Sequence, residues 1–150
     1  MRSWLLRGIV MAAVHIAGRV LLGAAILARP FESPLLRLGV LAVLVAVAAL
    51  WGGFDGVRDA RAHPDPDDAE DLTLRWLKAG ALAGVVASLT CWILGTFGVD
   101  GIGPSGFVTE MVAGTSFLTL LVYVPAFLGA AAGRFVVRRV RRRTEEPVDA

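Results

Sequence analysis

The chain has 150 residues, 56% of them hydrophobic, and a mean hydropathy of +0.67, and its apolar residues run in long blocks instead of the alternating patterns of a soluble domain. Its 15 basic and 13 acidic residues give a net charge of +2, and their segregation argues for lipid as a partner and against nucleic acid. Cys91 is the single cysteine, which excludes an internal disulfide and a cysteine-built metal centre.

A helix that crosses a bilayer needs about 20 mostly apolar residues. Four blocks meet this, at about 5–28, 35–54, 77–97 and 108–137, and the short connections leave no room for a second, soluble core. The sequence therefore predicts an all-α integral membrane protein: a four-helix transmembrane domain over 1–137, then a cytoplasmic tail, 138–150, that is first basic and then acidic.

The first block follows Arg2 and Arg7, as the core of a secretory signal would. His15 and Arg19 interrupt it, however, and it exceeds the roughly 7–15 residues of a signal core, so it reads as a retained helix. Arg7, Met11, His15 and Arg19 step by four and share one helix face. An arginine deep in a bilayer costs about 3 kcal/mol on insertion scales, so Arg19 is expected to face protein or water, as an interhelical clamp or as an anion-binding or gating residue. His15 is either a packing residue or a proton relay.

Pro30 and Pro34 bracket a polar stretch, which predicts a tight outer turn and an antiparallel hairpin of the first two helices. The second block is wholly apolar between Leu38 and Leu50 and reads as a lipid-facing or packing wall. From Asp55 to Thr73 the chain reads as an acidic central loop carrying Asp55, Asp59, Asp65, Asp67, Asp68, Glu70 and Asp71. Asp65 followed by Pro66 has the form of an N-cap and first helical position. Carboxylates of this kind suit hard cations, but their spacing matches no EF-hand loop, and no metal is assigned.

The third and fourth blocks add the remaining polar groups. His15, Arg19, Ser88, Thr90, Glu110, Thr115, Ser116 and Thr119 form a candidate intramembrane site, with Cys91 at similar depth and Glu110 the one carboxylate placed to approach Arg19. Gly80 and Gly84, with Ser88, and Gly129 and Gly133 recur at four-residue spacing, which permits close helix approach within the chain or across a dimer. Pro125 is expected to kink the last span. Trp4, Trp51, Trp76 and Trp92 read as interfacial anchors. The glycine-rich connection 98–106 lacks the Lys-Ser/Thr pair of a phosphate loop.

Of the 15 basic residues, twelve (Arg2, Arg7, Arg58, Arg61, Arg75, Lys78, Arg134, Arg138, Arg139, Arg141, Arg142, Arg143) fall on one side if all four helices span, two (Arg29, Arg37) on the other, and Arg19 lies within a span. This asymmetry predicts cytoplasmic termini in a multi-pass protein of the inner membrane, with Arg138, Arg139, Arg141, Arg142 and Arg143 against anionic headgroups. No zinc-protease, nucleophile-elbow or Walker signature is present, so no enzyme activity, catalytic residue or cofactor is expected.

Trp4-Leu5-Leu6-Arg7-Gly8, the His15 and Arg19 pair, Trp51-Gly52-Gly53-Phe54-Asp55-Gly56-Val57-Arg58-Asp59, Pro64 to Asp68 running into Leu72 to Gly80, and Val124-Pro125-Ala126 resemble the small four-helix membrane proteins of mycobacteria and related actinobacteria that are named drug/metabolite-transporter-like. The resemblance covers nearly the whole chain and implies a transporter-like role. The first helix lacks the buried glutamate with which small multidrug exporters exchange protons for cationic drugs, so an anionic or lipid-like substrate is expected. The other expectation is a non-transporting accessory subunit of a larger envelope or respiratory complex, or a parallel homo-oligomer, docking through its glycine faces and acidic loop.

Overall fold

The computed structural model describes residues 3–99, 102 and 106–145. Among them the chain is all-helical. Helix α1 is Ser3–Ala28, α2 is Ser33–Ala62 and α3 is Leu72–Thr96. Helix α4 comprises a short α-helical turn (Phe107–Thr109), a π-helical turn (Glu110–Gly114) and a long α-helix (Thr115–Glu145). Each of the four is long and apolar enough to cross a membrane.

Local chemistry accounts for the breaks. After Ala28, a 3-10 turn (Pro30–Glu32) leads into α2, whose first turn accommodates Pro34 because its missing N–H would have no helical partner there. The Asp71 carboxylate accepts the Leu74 N–H at 2.9 Å and caps α3. At the other end of α3, Gly98 takes a φ of +74° and lets the Val99 N–H reach back to the Leu94 carbonyl at 3.0 Å.

Three sequence expectations change here. First, the second helix does not end at Phe54: it continues to Ala62, and Asp55 and Asp59 are buried side chains of α2, not loop residues. Second, the cap of α3 is Asp71; Asp65 instead accepts the Asp67 N–H at 3.1 Å and opens a 3-10 turn, Pro66–Asp68. Third, Trp76 is a core residue with no exposed surface, and Trp51 packs edge-on against it at 6.0 Å. The last helix carries Arg138 to Arg143 on regular α-helix, beyond the expected end of the span at 137. The acidic residues of the tail after Glu145, Arg2, and residues 100, 101 and 103–105 of the glycine-rich connection lie outside the described residues.

In the ring of four, α1 packs on α3, α3 on α4 and α4 on α2, whereas α1 and α2 touch only lightly despite their short connection. The expected hairpin of α1 and α2 is therefore a loose seam. The closest contact is between α2 and α4. A Cβ at Gly52 would strike the Ala126 carbonyl and one at Gly56 the Ala130 carbonyl; reciprocally, one at Gly129 would strike the Ala49 carbonyl and one at Gly133 the Gly53 carbonyl. Backbones this close exchange dispersion and Cα–H···O contacts that larger residues would prevent. Gly80 and Gly84 do the same for α3, where added Cβ atoms would lie 2.9 and 2.7 Å from the Thr119 and Thr115 carbonyls of α4. The core between the helices holds Met11, Ala12, Ala48, Trp76, Ala79, Ala83, Val122 and Ala126.

Candidate functional site

The bundle has two polar zones, one near each end. At the end carrying Ser3 and Glu145, α1, α2, α4 and the chain before α3 are joined by charged groups. Arg7 donates from Nε to Asp55 Oδ2 at 2.8 Å and from Nη2 to Asp55 Oδ1 at 2.7 Å, with its guanidinium 5.8 Å above the Trp76 ring. Arg134 donates from Nε to Asp59 Oδ2 at 2.7 Å and from Nη2 to the Glu70 carbonyl at 2.6 Å. Asp59 Oδ1 accepts the Glu70 N–H at 3.0 Å and lies 3.1 Å from His63 Nδ1. Glu70 pairs with Arg75 at 2.5 Å, and that bond holds its carboxyl below the usual glutamate range. The acids that close this zone, Asp55, Asp59 and Glu70, are ones the sequence places in an acidic central loop. Its charges are matched and its bidentate geometry is that of a clamp.

The second zone lies toward the opposite end, where Arg19 of α1 meets Glu110 of α4. Arg19 Nη1 donates to Glu110 Oε1, and Nη2 lies 3.4 Å from Oε2. Glu110 is buried, whereas the Arg19 side chain is 40% exposed. The glutamate stands on the π-helical turn, the kind of local insertion that re-aims a side chain. His15 is buried one turn before Arg19, its ring Nδ1 2.7 Å from the Met11 carbonyl. That contact assigns the proton to Nδ1 and leaves Nε2, which has no partner in the protein, as an acceptor.

Beside Arg19 opens a cavity of about 350 Å³ to which all four helices contribute. Its polar lining is His15, Arg19, Arg37 and Cys91; the rest is apolar, including Leu22, Leu41, Phe117 and Leu121. Val40 and Leu44 are shared with a neighbouring apolar groove of about 510 Å³ along the seam of α1 and α2. Val40 and Leu44 are therefore a wall common to cavity and groove, and the cavity carries its arginines, Arg19 and Arg37, against an otherwise largely apolar lining.

The eight sequence candidates separate on this geometry. His15 and Arg19 line the cavity, and Glu110 holds Arg19. The buried hydroxyls of Ser88 and Thr115 have no partner in the protein, and Ser88 Oγ stands 3.0 Å from where a Cβ on Gly114 would sit, behind the cavity wall. Thr90 and Thr119 bond back to the Val86 and Thr115 carbonyls of their own helices at 2.8 and 2.7 Å, and Ser116 is exposed. These last three are not part of the cavity lining. Sequence reasoning left out Arg37, although Arg37, Leu41 and Leu44 recur at helical spacing and mark a face. Among the described residues, no three His, Cys, Asp or Glu side chains converge as metal ligands.

No family model matches the chain, and no curated protein shows significant similarity to it.

Proposed function

We propose that the chain is a four-pass protein of the inner membrane, termini in the cytoplasm, that binds an anionic amphiphile in the cavity beside Arg19 and acts as a small transporter-like carrier for it. The observation that carries this reading is the union of Arg19 and Arg37 with a largely apolar cavity that shares Val40 and Leu44 with the groove in the α1–α2 seam. Such a site suits a negative headgroup with an alkyl chain, and the loosely packed seam offers lateral entry from the bilayer. Orientation is supported by the segregation of arginine, since Arg7, Arg58, Arg61, Arg75, Lys78 and Arg134 to Arg143 cluster at the terminal end.

The accessory-subunit reading loses one support. Gly80, Gly84, Gly129 and Gly133 pack against helices of the same chain and present no open face for a partner.

Cys91, the single thiol of the chain, lines the cavity but is buried, so occupancy is read by thermal unfolding. Dodecyl phosphate is expected to raise the unfolding temperature of the detergent-solubilised protein; dodecyl phosphocholine, with no net charge, is expected not to. The increase should vanish in Arg19→Gln/Arg37→Gln. Equal stabilisation by the two lipids, or unchanged stabilisation in the double variant, would overturn the anionic site.

A further inference from the structure

The helix that continues past the expected end of the span carries a second feature. Phe127, Ala131, Phe135, Arg138, Arg139 and Arg142 line one concave face of α4, about 630 Å³ in volume, to which Arg134 also contributes. Phe127, Ala131, Phe135, Arg138 and Arg142 recur at three- and four-residue spacing, so apolar and basic residues form one continuous stripe. Along the axis, a rise of about 1.5 Å per residue puts Arg138 roughly 16 Å from Phe127, close to half the hydrocarbon thickness of a bilayer. The Arg139 guanidinium lies 5.9 Å over the Phe135 ring, which fixes one cation at the junction of the apolar and basic halves. Arg138 Nε is buried and has no partner in the protein. Arg134 is bound to Asp59 and the Glu70 carbonyl, so the groups offered to a ligand are Arg138, Arg139 and Arg142.

We infer that this face is a discrete binding site for one anionic phospholipid of the leaflet at the terminal end, its phosphate against Arg138, Arg139 and Arg142 and an acyl chain along Phe135, Ala131 and Phe127. Charge complementarity selects the headgroup, and the apolar stripe running one half-bilayer deep selects a lipid over a free phosphate. Arg141 and Arg143 do not line this face, so the five basic residues of the helix end are not equivalent. The inference rests on insertion of α4 in a bilayer and is independent of the cavity beside Arg19.

The test uses the full-length protein titrated with phosphatidylglycerol or phosphatidylcholine and read by native mass spectrometry. In the Arg19→Gln/Arg37→Gln background, which silences the cavity, phosphatidylglycerol is expected to show one saturable adduct, weakened at least about tenfold by adding Arg138→Gln/Arg139→Gln/Arg142→Gln and changed less than about twofold by adding Arg141→Gln/Arg143→Gln. The corresponding triple lysine variant, which preserves charge, should retain most of the adduct and shows whether the glutamine variant has failed through charge or through folding. An adduct that the parent protein shows and the Arg19→Gln/Arg37→Gln background lacks belongs to the cavity, which separates the two sites. Equal losses in proportion to the number of charges removed would mean diffuse attraction and overturn the site, as would equal displacement of the lipid by inorganic phosphate.

Discussion

Arg7, in the second turn of α1, grips Asp55, near the end of α2, through two hydrogen bonds of 2.8 and 2.7 Å, and these are two helices that otherwise barely touch. The side chains are 13% and 7% exposed, so each partner depends on the other for its solvation. Removing one member of a buried pair leaves an uncompensated charge and costs about 3 kcal/mol or more. Asp55→Leu is therefore expected to lower the detergent unfolding temperature sharply, and Arg7→Met similarly. The double variant Arg7→Met/Asp55→Leu should recover a large part of the loss. Additive losses in this double-mutant cycle would show that the pair contributes no coupling.

The α2–α4 contact makes a sharper geometric prediction. A methyl group at Gly56 would overlap the Ala130 carbonyl, which is backbone and cannot rotate away, whereas Gly39 of the same helix has nothing within 4 Å of its added Cβ. Gly56→Ala should separate the helices and cost more than the roughly 1–3 kcal/mol of ordinary overpacking. Gly39→Ala should be neutral or stabilising by up to about 1 kcal/mol through helix propensity. Thermal unfolding of the two variants side by side, read by circular dichroism, distinguishes a packing contact from a general intolerance of change.

The contrast between Gly39 and Gly56 also shows what the sequence reveals and what it hides. Four apolar blocks are visible because hydropathy is a local property, and the start of α2 is visible because Pro34 allows little else. The end of α2 is hidden because Asp55 and Asp59 break the apolar run; only their spacing from Gly52 and Gly56 shows that the helical period continues, and Pro64 is the first residue that must end it. Arg19 and Glu110 stand out as isolated charges in apolar surroundings, and they meet in the structure. The clamp formed by Arg7, Asp55, Asp59 and Arg134 depends on tertiary placement, since the same residues read equally well as solvated loop and helix-end charges. Trp76 misleads for the same reason: its position suggests an interface, while its neighbours bury it.

Glu70 provides a pH signature. Its carboxyl is held below the usual glutamate range, chiefly by the hydrogen bond to Arg75. A depressed folded-state value means that the pair contributes stability above the ordinary glutamate value near 4.3, and that this contribution is lost as pH falls through the folded value. The Glu70 side chain is 45% exposed, so the increment is small and weakened by salt. Glu70→Gln should lower the unfolding temperature slightly at pH 7, and the difference from the parent should close as pH falls below the ordinary glutamate range. A difference that is constant across this range would assign the loss to packing instead.

Arg19 and Glu110 give the same prediction for stability and opposite predictions for binding. In the ligand-free protein each compensates the other, so Arg19→Gln and Glu110→Gln should both lower the unfolding temperature. Binding separates them, because an anionic headgroup must compete with the Glu110 carboxylate for the same guanidinium. Arg19→Gln removes the attraction, and dodecyl phosphate should no longer stabilise the protein. Glu110→Gln removes the competitor while leaving the Arg19 charge, so the same lipid should bind more tightly and raise the unfolding temperature by more than it does in the parent protein, from a lower starting point. Lipid-induced stabilisation in Glu110→Gln that is smaller than in the parent would mean that the glutamate positions Arg19 for the headgroup instead of competing with it. Stabilisation that is unchanged in both variants would place the headgroup elsewhere and leave the Arg19–Glu110 pair as a purely structural tie between α1 and α4.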